Sequence, residues 1–367
     1  MSRPLALLFG TRPQVIKASV LRQALSASSA VLAVDTGQHY DYDLHRVHYD
    51  QLGVQPADAY LGVGSASHGS QTGEILTACE TWIKMHRPCA AVVIGDTNST
   101  LACALAAAKL RVPVAHVEAG LYAEDRLMAE EINRRVVDAI SDVLFAPCER
   151  IAERLRQRCS DASIETVGDV AYDVLLRALQ RAPRLETIAS YDPGWGSQFI
   201  YVTLHRAELV DNPERLRAVM EGLGASKFPC LFPVHPRTQG ALERLGYRSD
   251  GRVRLTTPLG YLDSIALLRH ASAVVTDSGG LQREAYWLGI PCVTVRAETE
   301  WTETVRLGAN RLVPPDKAAI LPSAIEEAAR GKSGGSWDRG VYGDGHAAEK
   351  IASMLSHRFH LGPSSSA

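Results

Sequence analysis

The chain has 367 residues, enough for two domains of ordinary size, and is 46% hydrophobic, enough for full cores. Its formal net charge is −2 with both signs interspersed, so no basic stripe of a nucleic-acid binder stands out. No stretch approaches the length that spans a membrane, and the apolar run Leu5 to Phe9 is too short for a secretory h-region, so neither an anchor nor an export signal is expected.

Strand and helix patterns alternate along the chain. Leu5–Phe9 reads as a strand, Val15–Leu25 as a helix, and Val31–Val34 and Ala91–Ile94 as strands. Thr100–Leu110 is an Ala-rich helix, and Val112–Val117 and Val143–Phe145 are further strands. After Asp169 a second series begins, with strands at Phe199–Leu204, Cys230–Val234, Val253–Thr256, Ala273–Thr276 and Cys292–Val295 and helical patterns between them. This rhythm predicts an α/β protein of two similar doubly wound, Rossmann-like domains with parallel sheets covered on both faces. Pro183, Pro193 and two glycines place a loop or hinge between Arg181 and Gly196, and the domain boundary is expected at 172/173. The second domain then runs to 345, and a C-terminal helix, 346–360, is expected to join the first. The small, polar tail Gly362 to Ala367 is expected to be disordered. Ligands of such sheets bind outside the carboxyl ends of the strands, which points to a cleft between two facing domains.

Seven cysteines occur, an odd number with no CxxC pair, and several lie in apolar context. They read as reduced thiols of a cytoplasmic protein. The twelve histidines show no pair with zinc-site spacing, so no metal is expected.

The residues with chemical potential fall just after predicted strands. Val275-Thr276-Asp277-Ser278-Gly279-Gly280-Leu281-Gln282-Arg283-Glu284-Ala285 reads as a buried strand, a tight turn and a helix from Leu281 to Leu288. Free N–H groups at such a helix start hold a diphosphate well, and Glu284, one turn in, is placed to accept from a ribose diol. An ordinary strand–turn–helix connection uses the same residue types, with the glycine pair as punctuation. After the first strand, Arg12 and Lys17 flank Pro13 near a helix start, as an anion grip or as a solvated basic pair. Asp96 follows Ile94 and Gly95 and is alternatively a helix N-cap. Glu118 ends another strand, and Glu130 falls in the first turn of a helix, where the dipole alone favours an acid. Carboxylates brought together can shift each other's affinity for protons, as acid–base chemistry near neutrality requires. His205, Arg206 and Arg237, with His235, follow strands of the second series and are candidates for phosphate contact.

Eight segments in this order resemble one family: Gly10-Thr11-Arg12-Pro13, Thr36-Gly37-Gln38-His39, Gly95-Asp96-Thr97, His116-Val117-Glu118-Ala119-Gly120-Leu121, Glu130-Glu131-Ile132-Asn133-Arg134, His205-Arg206, Pro233-Val234-His235 and Asp277 through Glu284. The chain resembles the non-hydrolysing UDP-N-acetylglucosamine 2-epimerases from Gly10 to about Ala348. The resemblance implies the two-domain GT-B fold, a homodimer, and a reaction that needs no metal or redox cofactor. A base removes the C2 proton of the sugar while UDP leaves C1, giving a 2-acetamido glycal. UDP then re-adds with the proton delivered to the opposite face, which interconverts UDP-GlcNAc and UDP-ManNAc.

By resemblance, Asp96, Glu118 and Glu130 form the acid–base set, with Lys17 and His205 near the phosphates. Arg12, Arg206, His235, Ser278, Gly279, Gly280 and Glu284 hold UDP, and Gln38, His39 and Gln71 belong to an allosteric substrate site. Two residues depart from the family pattern: Tyr122 stands where Arg is usual, and Ala129 where Pro usually precedes the Glu pair. Leu204-His205-Arg206-Ala207-Glu208, Pro236-Arg237-Thr238 and Thr299-Glu300-Trp301 look closer to the branch acting on UDP-2,3-diacetamido-glucuronic acid. A GT-B glycosyltransferase using a UDP-sugar shares the fold and the diphosphate turn, but has no need of three acids around C2.

Overall fold

The computed structural model describes residues 3–38, 53–123, 126–188, 190–195, 198–249, 251–331 and 337–359. His39 and the tail Gly362 to Ala367 lie outside these described residues. The chain separates into two compact units, Met1–Arg177 with Gly340–Ala367, and Ala178–Arg339.

In the first unit the strands are β1 (Leu5–Phe9), β2 (Val31–Asp35), β3 (Ala59–Tyr60), β4 (Ala90–Ile94), β5 (Val114–Val117), β6 (Val143–Ala146) and β7 (Ser163–Thr166). Its helices are α1 (Arg12–Ser26), α2 (His68–His86), α3 (Asn98–Lys109), α4 (Ala129–Ile140), α5 (Glu149–Arg156), α6 (Val170–Arg181), which crosses into the second unit, and a last helix (Ala347–Arg358). The strands form one parallel sheet in the order β3-β2-β1-β4-β5-β6-β7. Every residue of β1 and β4 is buried, because helices cover both faces of a parallel sheet and leave no side for polar residues. In α3, Ala102, Cys103, Ala104, Ala106 and Ala107 are all buried, their small side chains allowing close packing on the sheet.

The chain returns to this unit at its end. Asp169 N–H donates to Tyr342 O at 2.9 Å, and Gly168 and Gly343 approach so closely that a Cβ on Gly168 meets Gly343 Cα at 3.1 Å. Asp173 accepts the N–H groups of Ala347 and Ala348 at 3.2 and 2.8 Å, which caps the last helix as it packs on α1.

The second unit contains β8 (Ile200–Thr203), β9 (Cys230–Pro233), β10 (Val253–Thr256), β11 (Ala273–Thr276), β12 (Cys292–Thr294) and β13 (Asn310–Leu312). Between them run α7 (Ala207–Val210), α8 (Pro213–Gly224), α9 (Pro236–Arg244), α10 (Tyr261–His270), α11 (Gly279–Leu288), α12 (Thr302–Arg306) and α13 (Leu321–Gly331); the last helix of the chain is therefore α14. The sheet order is β10-β9-β8-β11-β12-β13, again parallel. Its core joins Ile200, Val202, Phe232, Val275 and Val293 to Leu216, Met220 and Ile325 of the covering helices.

Each sheet reverses its strand order once, at β1/β4 in the first unit and at β8/β11 in the second. Such a reversal leaves a crevice outside the carboxyl ends of the two strands, because the following helices turn to opposite faces. The segments that start at Gly10 and Gly95 flank the first crevice, and those that start at Leu204 and Asp277 flank the second.

The seven cysteines are free thiols. Among the described residues no helix is long and apolar enough to cross a membrane.

Candidate active site

In the first unit, Glu118 is the residue after β5, and its backbone sits at φ +66°, a left-handed conformation costly for a side chain other than glycine. Lys17, on α1, places Nζ 2.6 Å from Glu118 Oε1 and 2.7 Å from Oε2. Both side chains are largely buried, at 14% and 8% exposure. Gly95 lies beside this carboxylate at φ +67°, a conformation that favours glycine, and a Cβ there would be in ordinary contact with Glu118 Oε2 at 3.6 Å.

Asp96 comes next, with its carboxylate paired to Arg134 and about a third exposed. It is not the helix cap. Thr97 caps α3, because its hydroxyl oxygen accepts from Thr100 N–H at 3.3 Å, which leaves the Asp96 carboxylate to Arg134. Asn133 donates to Asp96 O at 3.0 Å and to Asn98 Oδ1 at 3.2 Å, tying the β4–α3 turn to α4.

The two acids of α4 differ sharply. Glu131 is fully buried and accepts from Arg134 at 2.6 Å, Arg135 at 2.7 Å and Ala123 N–H at 2.9 Å, so it is a structural anchor. Glu130 is exposed and makes no hydrogen bond or ion pair among the described residues.

Arg12, half-buried, is the first residue of α1. Behind it, Gln14 Oε1 accepts from Gly10 and Thr11 N–H at 2.9 and 3.1 Å. Its amide nitrogen lies 2.6 Å from Ile94 O and 2.9 Å from Thr100 Oγ1, so Gln14 locks the two crevice loops together. Gln38 Oε1 accepts from Ser99 N–H and Oγ–H at 3.0 and 2.6 Å, and Gln71 Oε1 accepts from Asn98 at 2.8 Å. Both reach the first turn of α3, one or two residues beyond Thr97.

In the second unit, Asp277 follows β11 and is fully buried. Its Oδ2 accepts the N–H groups of His205 and Arg206, both at 2.8 Å, and Oδ1 lies 3.4 Å from His205 Nδ1. Ser278 precedes α11, whose first residues are Gly279 and Gly280. A Cβ on Gly279 meets Trp301 Nε1 at 3.2 Å, so the glycine lets the indole lie against the turn. The first N–H groups of α11 are orphans of the helix and are aimed outward, an anion site of ordinary physics.

Tyr261 O–H donates to Glu284 Oε1 at 2.9 Å, and burial pushes Glu284 up from 4.5 to about 7. Arg283 lies over the Trp301 ring at 4.1 Å. His205 and His235 are neighbours, with ring centroids 6.0 Å apart, and His235 Nδ1 accepts from Arg237 N–H at 3.2 Å. Arg237 itself is ion-paired to Asp211, both side chains about half exposed. Arg206 is half-buried and its field helps draw Glu300 below the usual carboxylate range, after the larger pull of Arg296.

The first unit thus gathers Lys17, Asp96 and Glu118, with Arg134 added by the fold. The second gathers His205, Arg206, His235, Ser278, Gly279, Gly280 and Glu284, with Asp277 and Tyr261 added. Arg134 lies four residues after Glu130, and Asp277 directly before the serine turn, so each sits in a quoted motif without a sequence signal for its partner.

A model of the UDP-N-acetylglucosamine 2-epimerase family matches residues 23–356. The chain belongs to that family. It is 42% identical to the UDP-2,3-diacetamido-2,3-dideoxy-D-glucuronate 2-epimerase of Pseudomonas aeruginosa, over 95% of this chain and 98% of that protein. It is 37% identical to the UDP-N-acetylglucosamine 2-epimerase of Methanocaldococcus jannaschii, over 96% and 99% of the two chains. The crystal structure of the Methanocaldococcus jannaschii UDP-GlcNAc 2-epimerase in complex with UDP-GlcNAc and UDP superimposes with a TM-score of 0.84 at 36% identity, covering 96% of this chain and 99% of that one. Epimerases of this family have the GT-B arrangement, and both parallel sheets described above conform to it.

Proposed function

We propose that this epimerase acts on a UDP-linked 2-acetamido sugar without hydrolysing it, with UDP-N-acetylglucosamine and UDP-N-acetylmannosamine as the interconverted pair. The observation that carries the reading is the Lys17–Glu118 pair, a carboxylate held in a strained backbone position beside Gly95 and Asp96 at the reversal of the first sheet. Strain of this kind persists where a side chain has to be aimed, and a buried carboxylate beside a second one is the equipment of proton transfer.

The reaction balances as follows. A carboxylate removes the C2 proton, the C–H electrons form the C1–C2 double bond, and the C1–oxygen bond breaks with its electron pair going to UDP. The second step reverses this, and a different acid returns the proton to the other face. Glu118 and Asp96, paired to separate cations, and the unpartnered Glu130 provide acids in unlike surroundings, as delivery to two faces requires. His205, Arg206, Arg12 and the N–H groups of Gly279 and Gly280 suit the charge that develops on the departing diphosphate. Glu284 suits the ribose hydroxyls. Neither step changes the net oxidation state, so the chemistry calls for no redox cofactor.

A second substrate is favoured by one observation, the 42% identity to a protein named for UDP-2,3-diacetamido-2,3-dideoxy-D-glucuronate. Proton NMR in D₂O with each UDP-sugar in turn separates the two. A new manno anomer with deuterium at C2 supports epimerisation of the sugar supplied. UDP release that depends on an added sugar acceptor points to a glycosyltransferase and defeats the epimerase reading.

The reading includes a homodimer in the cytoplasm. Seven free thiols suit a reducing compartment. Exposed Tyr60 and Met85, near Trp82, supply apolar surface for a second copy, and light scattering at the mass of a monomer would count against it.

A further inference from the structure

His116 lies on β5 and Asp138 on α4, both with fully buried side chains, 2.7 Å apart from Nδ1 to Oδ1. The other ring nitrogen, Nε2, is 2.7 Å from Gly95 O. A neutral imidazole has one N–H and one lone pair. Here both nitrogens face acceptor oxygens. The ring therefore ties Gly95 O to the Asp138 carboxylate, one nitrogen to each.

The partners of this pair are the two crevice loops. Gly95 directly precedes Asp96, and its N–H donates to Val117 O at 2.9 Å, so β5 grips both backbone groups of Gly95. Asp138 Oδ2 accepts Gly120 N–H at 3.1 Å, which fixes the turn two residues after Glu118. Tyr122, the residue that departs from the family pattern, donates its N–H to Gly120 O at 2.8 Å. Its ring is bracketed by the guanidinium groups of Arg135, Arg154 and Arg158 at 4.8–4.9 Å. One carboxylate therefore collects an imidazole and a backbone N–H, which lead to the segments that carry Asp96 and Glu118.

We propose that His116 and Asp138 are positioning residues that clasp the Gly95–Asp96 and Glu118–Gly120 loops and hold the two carboxylates in register for proton transfer at C2. This deepens the epimerase reading and rests on it for the reaction concerned. Both side chains are fully buried, so they act through the loops they hold. Misplacement of a reacting group by about 1 Å can cost roughly 100-fold in rate, which is the scale of effect such a clasp controls.

The test uses the full chain and separates position from charge. In Asp138→Asn the side chain keeps its shape, its amide N–H can donate to His116 Nδ1 and its oxygen can still accept from Gly120 N–H. Asp138→Asn is expected to keep most of the turnover that Asp138→Ala loses. His116→Gln, which can still donate to Gly95 O, is expected to lie between wild type and His116→Ala. In all four variants UDP affinity, measured by calorimetry, stays at the wild-type value while kcat and C2 proton exchange in D₂O fall about 100-fold in the alanine variants. Wild-type turnover in His116→Ala, equal inactivity of Asp138→Asn and Asp138→Ala, or parallel loss of UDP affinity and turnover would each overturn the proposal. A wild type that exchanges no C2 proton on either sugar would strike the epimerase reading alone, and wild-type turnover in His116→Ala would strike the clasp alone.

Discussion

Lys17 and Glu118 are 101 residues apart in sequence, yet Nζ of the lysine lies within 2.7 Å of both oxygens of the glutamate. The contact is made beside the reversal point of the sheet, where β1 and β4 are neighbours, and it joins the helix after β1 to the residue after β5. Lys17, which the resemblance places near the phosphates, is ion-paired to Glu118 in this structure.

That pairing sets the first expectation. Glu118→Gln keeps the shape of the side chain and one acceptor oxygen for Lys17 but removes the carboxylate. UDP binding should be unchanged and turnover should fall by roughly 10²–10⁴-fold. Lys17→Met should also lower turnover, and should destabilise the fold by as much as ~3–5 kcal/mol if the carboxylate stays ionised without its partner. Residual exposure of both groups makes the lower end the better expectation. Calorimetry with UDP and a steady-state epimerase assay decide it, and wild-type rates in Glu118→Gln would remove this residue from the mechanism.

Asp277 holds the loop that carries His205 and Arg206 through two 2.8 Å hydrogen bonds to their backbone N–H groups. Asp277→Ala should orphan both donors at a cost of roughly 1–3 kcal/mol each, and should weaken UDP binding because the histidine and arginine lose their anchor. Asp277→Asn retains an acceptor oxygen and should be milder on both counts. Chemical denaturation alongside UDP titration gives both numbers. Loss of stability with undiminished UDP affinity would detach this loop from nucleotide binding.

Gly120 answers to geometry alone. Its φ is +77°, and a Cβ there stands 2.7 Å from Leu155 Cγ and 2.8 Å from Ile151 Cγ2. Gly120→Ala combines left-handed strain of about 1–2 kcal/mol with overpacking of about 1–3 kcal/mol, so a loss of roughly 2–5 kcal/mol is expected. Thermal unfolding measures it. A shift of Tm within error would mean that α5 yields freely, contrary to the close packing of Ile151 and Leu155.

The sequence makes the strands legible where burial is continuous. Leu5–Phe9 and Ala273–Thr276 read to the residue because a doubly covered strand shows an unbroken apolar or β-branched run. Ala59–Tyr60, Ser163–Thr166 and Asn310–Leu312 are edge strands with exposed residues, and they carry no such run, so they went unread. Site residues at strand ends were visible for the same reason, since the topology places whatever follows β1, β4, β5, β8 and β11 at a carboxyl end. Pairings were not. Asp96 and Thr97 both qualify as caps by type, and only the reach of Thr97 to Thr100 N–H settles the choice. Nothing local to His116 announces Asp138, 22 residues away on a different element.

Glu284 gives a prediction with a sign. Burial raises it from 4.5 to about 7, against the opposing influence of the Tyr261 hydroxyl and Arg283. Between pH 4.5 and 7 the folded protein keeps a proton that the unfolded chain has released, so stability must fall as pH rises through that window. The change is at most roughly 3 kcal/mol, from about 1.4 kcal/mol per pH unit, and less to the extent that water reaches the group. The unfolding free energy of wild type minus that of Glu284→Gln should therefore fall steadily over this range and level off above about pH 7. UDP should reverse the trend, because ribose hydroxyls donate to the ionised carboxylate and replace the water it lost on burial. UDP affinity should accordingly rise with pH through about 7 in wild type more than in Glu284→Gln, a comparison that cancels titration of the diphosphate itself. Identical pH profiles for the two proteins would mean that Glu284 does not meet the ribose.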